Sequence, residues 1–171
     1  MFLTFAVALL VAALLLVLLH RYRRVRGGLP VGELIYSDDV SAESPVLIST
    51  RYGLKGRPDA LIRTKSGEII PVERKSSRTP QRPYDGDLIQ AAAYCVLVQE
   101  QYGSRPPYMR IQYQNGCFDE PFTVERERWV LRTCEEIRLA RRSGGVRRSH
   151  QSVARCKGCG QRNNCDQALT Q

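Results

Sequence analysis

The apolar pattern changes character several times along this chain, and each change predicts an element. Met1 to Leu19 holds one polar side chain, Thr4, and no charge. A helix of that length and composition matches the core of a bilayer. Val46 to Tyr52 alternates and is rich in β-branched residues, which predicts a strand. A second strand covers about Arg57 to Arg63, Thr64 to Gly67 supplies a tight turn, and Glu68 to Lys75 returns as a third strand. Ser76 to Tyr84 reads as a loop rich in Pro, Ser and Arg. Asp85 or Asp87 caps a helix that runs to about Tyr102 and ends at Gly103. Pro107 to Tyr113 reads as a strand, Asn115-Gly116 as its turn, and Cys117 to Val124 as the returning strand. Glu125 to Arg142 has the pattern of a second helix, closed by Gly144 and Gly145. Strands flanking a buried helix, with one hairpin in each half, indicate an α/β domain on a mixed sheet. The expected organisation is an anchor over 1–19, a basic stem and linker over 20–30, a folded domain over 31–145, and a cysteine-bearing tail over 146–171.

Charge sharpens the reading of both ends. The net charge of +9 divides into +4 over His20 to Arg26, −1 over Gly27 to Val124, and +6 over Glu125 to Gln171. Arginines directly after an apolar run mark its cytoplasmic side. Residues 1–19 therefore read as a single-pass signal anchor, with the N-terminus outside and the domain in the cytoplasm. A cleaved signal peptide would carry its basic residues before the run and a small-residue site after it. The C-terminal excess is mostly arginine: Arg138, Arg141, Arg142, Arg147, Arg148, Arg155 and Arg162. Arginine is the side chain best suited to phosphate, although a solvated basic helix has the same composition.

The sharpest chemical signal lies in the second and third strands. Glu73 and Lys75 stand two residues apart in IIPVERK, so on a strand they share one face. Asp59, in GRPDALI, joins them if the two segments pair as a hairpin. Two carboxylates, an amine and the Arg74 carbonyl between Glu73 and Lys75 suit a hard divalent cation that activates water. Glu73 also ends an otherwise apolar strand, where a charge is costly unless paired or bound to metal.

The cysteines fall into two groups. In a cytoplasmic domain disulfides are not expected. Cys95 lies in an apolar run and reads as core, and burial is the default for the isolated Cys117 and Cys134. Cys156, Cys159 and Cys165 are clustered, with Cys-x-x-Cys spacing that suits a soft metal or an iron–sulfur cluster. His150 and Asp166 are candidates for a fourth ligand, and His150 with the three cysteines would suit zinc.

In order along the chain, GlyArgProAsp at 56–59, ProValGluArgLys at 71–75, GlnAlaAlaAlaTyr at 90–94, and CysLysGlyCys followed by Cys165 closely resemble the PD-(D/E)XK nuclease superfamily. Within it they resemble the CRISPR-associated RecB-like exonucleases, the family of the fourth Cas protein. The resemblance runs from about Tyr36 to Cys165. It implies a central mixed sheet flanked by helices, as in restriction endonucleases. It implies hydrolysis of single-stranded DNA from an end, supported by magnesium or manganese, in trimming DNA before its capture as a CRISPR spacer. Carried onto this chain, Asp59, Glu73 and the Arg74 carbonyl hold the metal, and Lys75 positions or polarises the attacking water. Gln90 and Tyr94, one helical turn apart, touch the substrate strand. Cys156, Cys159 and Cys165 supply ligands to a [4Fe-4S] cluster.

The chain departs from that family twice. The family's N-terminal helix supplies a His near the metal, whereas His20 and His150 both lie elsewhere; Glu33, Asp38 and Asp39 are the nearest substitutes in sequence. The family cluster also takes a cysteine from before the first strand, and this chain has none before Cys95. Two other function classes therefore stand beside the exonuclease: a non-catalytic nucleic-acid-binding module at the membrane, and a tether for CRISPR adaptation or DNA repair proteins.

Overall fold

The computed structural model describes residues 11, 13–16, 28–37, 46–144 and 147–169. The proposed anchor and stem lie almost wholly outside these residues, as do Asp38 and Asp39. Among the described residues no helix is long and apolar enough to cross a membrane. The chain divides into two compact units, Met1–Arg132 and Thr133–Gln171.

The first unit is built on a five-stranded sheet of order β1-β4-β5-β6-β7. Its strands are β1 (Glu33–Ser37), β4 (Ala60–Arg63), β5 (Ile69–Arg74), β6 (Tyr108–Tyr113) and β7 (Gly116–Pro121). β5 and β6 run parallel and every other neighbouring pair is antiparallel, so the sheet is mixed. A separate small hairpin pairs β2 (Leu47–Ser49) with β3 (Leu54–Gly56). Between β5 and β6 runs the helix α1 (Asp85–Tyr102). A crossover of this kind is what a parallel pair requires.

β5 is the middle strand, and its first five residues are buried, as a strand covered on both faces requires. Alternation sorts its neighbours into two cores. Leu61 and Ile69 pack with Tyr94, Leu97 and Val98 of α1, whereas Ala60, Ile62 and Val72 form a cluster with Leu29 and Leu34. α1 buries Ala91, Ala92 and the run from Tyr94 to Val98. It ends at Gly103, whose φ of 67° is the left-handed conformation expected of a helix-terminating glycine.

The second helix, α2 (Val124–Arg142), starts in the first unit and crosses into the second. The second unit ends in a short helix, α3 (Val153–Lys157), and a 3₁₀ turn at Arg162–Asn164.

Four local expectations change. The strand β1 has too short an alternation to stand out in the sequence, and it is recruited by pairing with β4. The N-cap of α1 is Tyr84, which makes no side-chain cap bond, so neither Asp85 nor Asp87 caps the helix. The β6–β7 loop is Gln114-Asn115, because Tyr113 pairs with Gly116. A Cβ on Gly116 would meet the Thr79 side chain at 3.3 Å, so this glycine permits a close approach at the start of β7. Cys117 is exposed rather than buried, because it lies on an outward-facing position of the edge strand β7.

Candidate active site

The β4–β5 register places the candidate residues together. Ala60 pairs with Val72, so one step further along the same ladder Asp59 stands opposite Glu73. Alternation puts both on the face that carries Leu61 and Ile69, which is the face α1 covers. Lys75 is two residues beyond Glu73 and shares that face. Asp59 is tied to the next strand directly, since the Arg74 N–H donates to its Oδ2 at 2.6 Å. The Lys75 N–H donates to the Gln112 carbonyl at 2.7 Å, which extends the parallel ladder and fixes where the lysine side chain starts.

The Lys75 ammonium has three partners: Glu73 Oε1 at 2.9 Å, Asp87 Oδ1 at 3.1 Å and Gln90 Oε1 at 2.9 Å. Gln90 Nε2 in turn donates to the Tyr94 hydroxyl at 3.0 Å. The structure thus brings Asp59, Glu73, Lys75, Gln90 and Tyr94 to one place. Gly56 makes this possible from below: a Cβ there would lie 2.9 Å from Tyr94 Cε1 and 3.0 Å from Leu97 Cδ1. The glycine of the GlyArgProAsp segment is the floor on which Tyr94 sits.

Glu73 is 5% exposed; its Oε2 is buried and makes no close, well-aligned hydrogen bond, while the Tyr94 hydroxyl interacts with the same carboxylate. Burial pushes its carboxyl above the usual range; the Lys75 hydrogen bond pulls the other way, the Asp59 charge pushes up, the Tyr94 hydroxyl pulls down, and the net direction is up. Burial pulls Lys75 down, but the hydrogen bonds that its ammonium donates to Glu73 and Asp87 outweigh burial and hold it above its usual value. Burial also raises the Tyr94 phenol, with the Glu73 and Asp59 charges adding to it.

A divalent cation fits this donor set. A buried carboxylate oxygen without a close, well-aligned hydrogen bond faces a second carboxylate close enough to raise its proton affinity, and a hard cation answers both. Among the described residues no group of three or more His, Cys, Asp or Glu side chains is placed to hold a metal ion.

Two residues of the network are absent from the sequence reading as site residues. Asp87 accepts from Lys75 through Oδ1, and its Oδ2 accepts from the Tyr113 hydroxyl at 2.7 Å. A signal existed for Asp87: it stands three residues before Gln90, on the same helix face. Nothing in the sequence distinguishes Tyr113 from any inward-facing strand tyrosine.

In the second unit, Cys156, Cys159, Cys165 and His150 line one cavity of about 310 Å³ with Arg147, Arg148 and Arg162. Cys156 is buried and its sulfur accepts the Leu169 N–H at 3.4 Å, while Cys159 and Cys165 are exposed. The His150 Nδ1 accepts the Ser152 N–H at 3.2 Å. These side chains do not converge as a single zinc ion requires. Asp166 does not line that cavity.

Fold and site together define a mixed α/β sheet carrying a two-carboxylate and lysine centre at the end of its middle strands. No family model matches the chain. Over 72 residues it is 33% identical to a CRISPR-associated exonuclease Cas4/endonuclease Cas1 fusion of Myxococcus xanthus strain DK1622, a match covering 39% of this chain and 12% of that protein. Among solved structures it is similar to SSO0001, with a TM-score of 0.47 and 22% identity, over 74% of this chain and 59% of that one. It is also similar to a protein of Eubacterium rectale named as a candidate exonuclease, with a TM-score of 0.44 and 15% identity, over 77% of this chain and 54% of that one. The chain spans less than two thirds of each of these proteins. Both TM-scores lie below 0.5, and the fold rests on the strand order and register given above.

Proposed function

We propose that this chain is a metal-dependent deoxyribonuclease of the RecB-like exonuclease type. The observation that carries this reading is the buried Glu73 carboxylate, whose Oε2 makes no close, well-aligned hydrogen bond, placed near Asp59 by the β4–β5 register and beside Lys75. The local match to a protein named as a Cas4 exonuclease fusion supports it.

In this reading Asp59, Glu73 and the Arg74 carbonyl hold magnesium or manganese. The ion, when bound, supplies charge neutralisation at the phosphate and acidifies water. The Lys75 ammonium donates a hydrogen bond to the phosphate or to the attacking water and offsets negative charge as it develops. Gln90 and Tyr94 hold Lys75 and face the substrate strand, taken to be single-stranded DNA. Water adds to phosphorus, the ester bond to one sugar oxygen breaks, and that oxygen leaves as a hydroxyl after taking up a proton.

The finer parts of the proposal rest on other features. The three-cysteine cavity would hold a [4Fe-4S] cluster whose fourth ligand comes from elsewhere, and the arginines beside it would balance its negative charge. Residues 1–19 would anchor the chain in a membrane with the nuclease domain, residues 31–145, on the cytoplasmic side and the cysteine tail following it. CRISPR adaptation proteins or DNA repair proteins would be its partners.

The test is a nuclease assay on the anaerobically purified full-length chain. End-labelled single- and double-stranded DNA is incubated with manganese, magnesium or chelator, beside Asp59→Ala and Lys75→Ala. Cutting that needs metal and is lost in both variants supports the enzyme. Tight DNA binding without cutting in any metal points to the non-catalytic binding module. A visible charge-transfer absorption that Cys156→Ala abolishes supports the cluster.

A further inference from the structure

We propose that Asp87, braced by Tyr113, is a positioning residue that draws the Lys75 ammonium away from Glu73 and so clears Glu73 for a divalent cation. This inference rests on the nuclease reading and deepens it.

An ammonium carries three hydrogens, and Lys75 has three acceptors within 3.1 Å. In this arrangement the lysine has no hydrogen left for a phosphate or a water. One of its acceptors is Glu73 Oε1, on the same carboxylate whose Oε2 makes no close, well-aligned hydrogen bond. A cation arriving at Glu73 therefore meets a positive charge already held there at 2.9 Å. The two compete, and something must favour the ion.

Asp87 is placed to do so. It approaches Lys75 from the first turn of α1 and offers a second carboxylate at nearly the same distance as Glu73. Its two oxygens are divided: Oδ1 faces Lys75 and Oδ2 receives the Tyr113 hydroxyl. Tyr113 is 2% exposed and packs edge-on against Phe118 at 5.9 Å between ring centroids, so its hydroxyl is held in place. When a cation takes Glu73, Lys75 keeps Asp87 and Gln90 and gains one free hydrogen to direct at substrate. The same carboxylate thus keeps the lysine near the site without leaving it on the metal ligand.

The plainer role for Asp87 is a helix one, since an acid in the first turn stabilises the N-terminus. That role does not depend on Lys75, and the two are separable by a double-mutant cycle. Manganese binding to the full-length chain is measured by calorimetry for wild type, Asp87→Asn, Tyr113→Phe, Lys75→Met and the Lys75→Met/Asp87→Asn pair, with Glu73→Gln defining binding at other sites. Asp87→Asn is expected to weaken binding at least about fivefold, and Tyr113→Phe in the same direction by less. Lys75→Met tightens binding, and in its background the Asp87→Asn loss falls to less than about half, in logarithmic terms. A loss of equal size with and without Lys75 overturns the inference, because it would be charge acting at a distance. So does wild-type binding that needs Glu73 but ignores Asp87. A wild type that binds no manganese at Glu73 overturns the nuclease reading together with this one. If Asp87→Asn does not fold, Tyr113→Phe with and without Lys75→Met makes the same comparison.

Discussion

Glu73→Gln should make the metal-free protein more stable at neutral pH while removing its ability to respond to metal. The carboxylate is 5% exposed and one of its oxygens makes no close, well-aligned hydrogen bond. Leaving such a group buried and unsatisfied costs about 1–3 kcal/mol. Glutamine leaves a neutral amide in that place, which removes the buried charge, and it weakens the contact with Lys75, which is 22% exposed at its side chain and retains Asp87 and Gln90. That loss is about 1 kcal/mol or less after solvent screening. The balance is a gain of about 1 kcal/mol, or roughly 2–4 °C in Tm for a chain of this size. The pH dependence carries a definite sign. The folded-state pKa of Glu73 is raised above its ordinary 4.5, so the native state favours the protonated form. Stability from this group is complete below 4.5 and is lost as pH rises through the folded value. The advantage of Glu73→Gln should therefore be small in acid and grow as pH increases toward neutrality. The assay is thermal unfolding followed by circular dichroism, in chelator, across a pH series. A variant less stable than wild type at neutral pH, or an advantage that does not change with pH, refutes the reasoning. Added manganese should raise the wild-type Tm by mass action and leave Glu73→Gln unmoved.

Gly56→Ala drives a Cβ to within 2.9 Å of the Tyr94 ring, so it should cost about 1–3 kcal/mol in denaturant unfolding and lower activity more than an equally destabilising change remote from Tyr94. Leu97→Ala removes a fully buried side chain between α1 and the sheet, and should cost about 2–5 kcal/mol by the same measurement. Burial and the Asp87 charge push the Tyr113 phenol up to about 12, above its usual 10.0, so the folded state holds a proton that the unfolded chain releases. Stability should fall as pH rises from 10.0 toward about 12, and Tyr113→Phe should flatten that decline in alkaline unfolding curves.

Much of this architecture was legible in the sequence because its signals are local. The Thr64 to Gly67 turn sets the β4–β5 register, and that register carries Asp59 to Glu73. Spacing by two on a strand and by four on a helix predicts that Lys75 joins Glu73 and that Gln90 joins Tyr94. What was not legible depends on contacts between distant segments. The strand β1 exists because β4 offers it an edge, and its five residues carry little pattern of their own. The β6–β7 loop is Gln114-Asn115 because Gly116 joins the ladder opposite Tyr113, which the Asn115-Gly116 dipeptide alone does not show. Asp87 looks like a helix cap in sequence, and only the approach of Lys75 and Tyr113 from two strands gives it another role. The cysteine tail was legible as a cluster but not as a cavity with divided exposure, since that depends on how residues 147–169 fold back on themselves.

The most direct test of the central claim measures cutting and DNA binding in parallel for the full-length chain and Asp59→Ala, with manganese present and with it chelated. Wild type is expected to hydrolyse DNA only with manganese, Asp59→Ala not at all, and both are expected to retain DNA affinity. Equal cutting by the two, or cutting that persists in chelator, would contradict that claim.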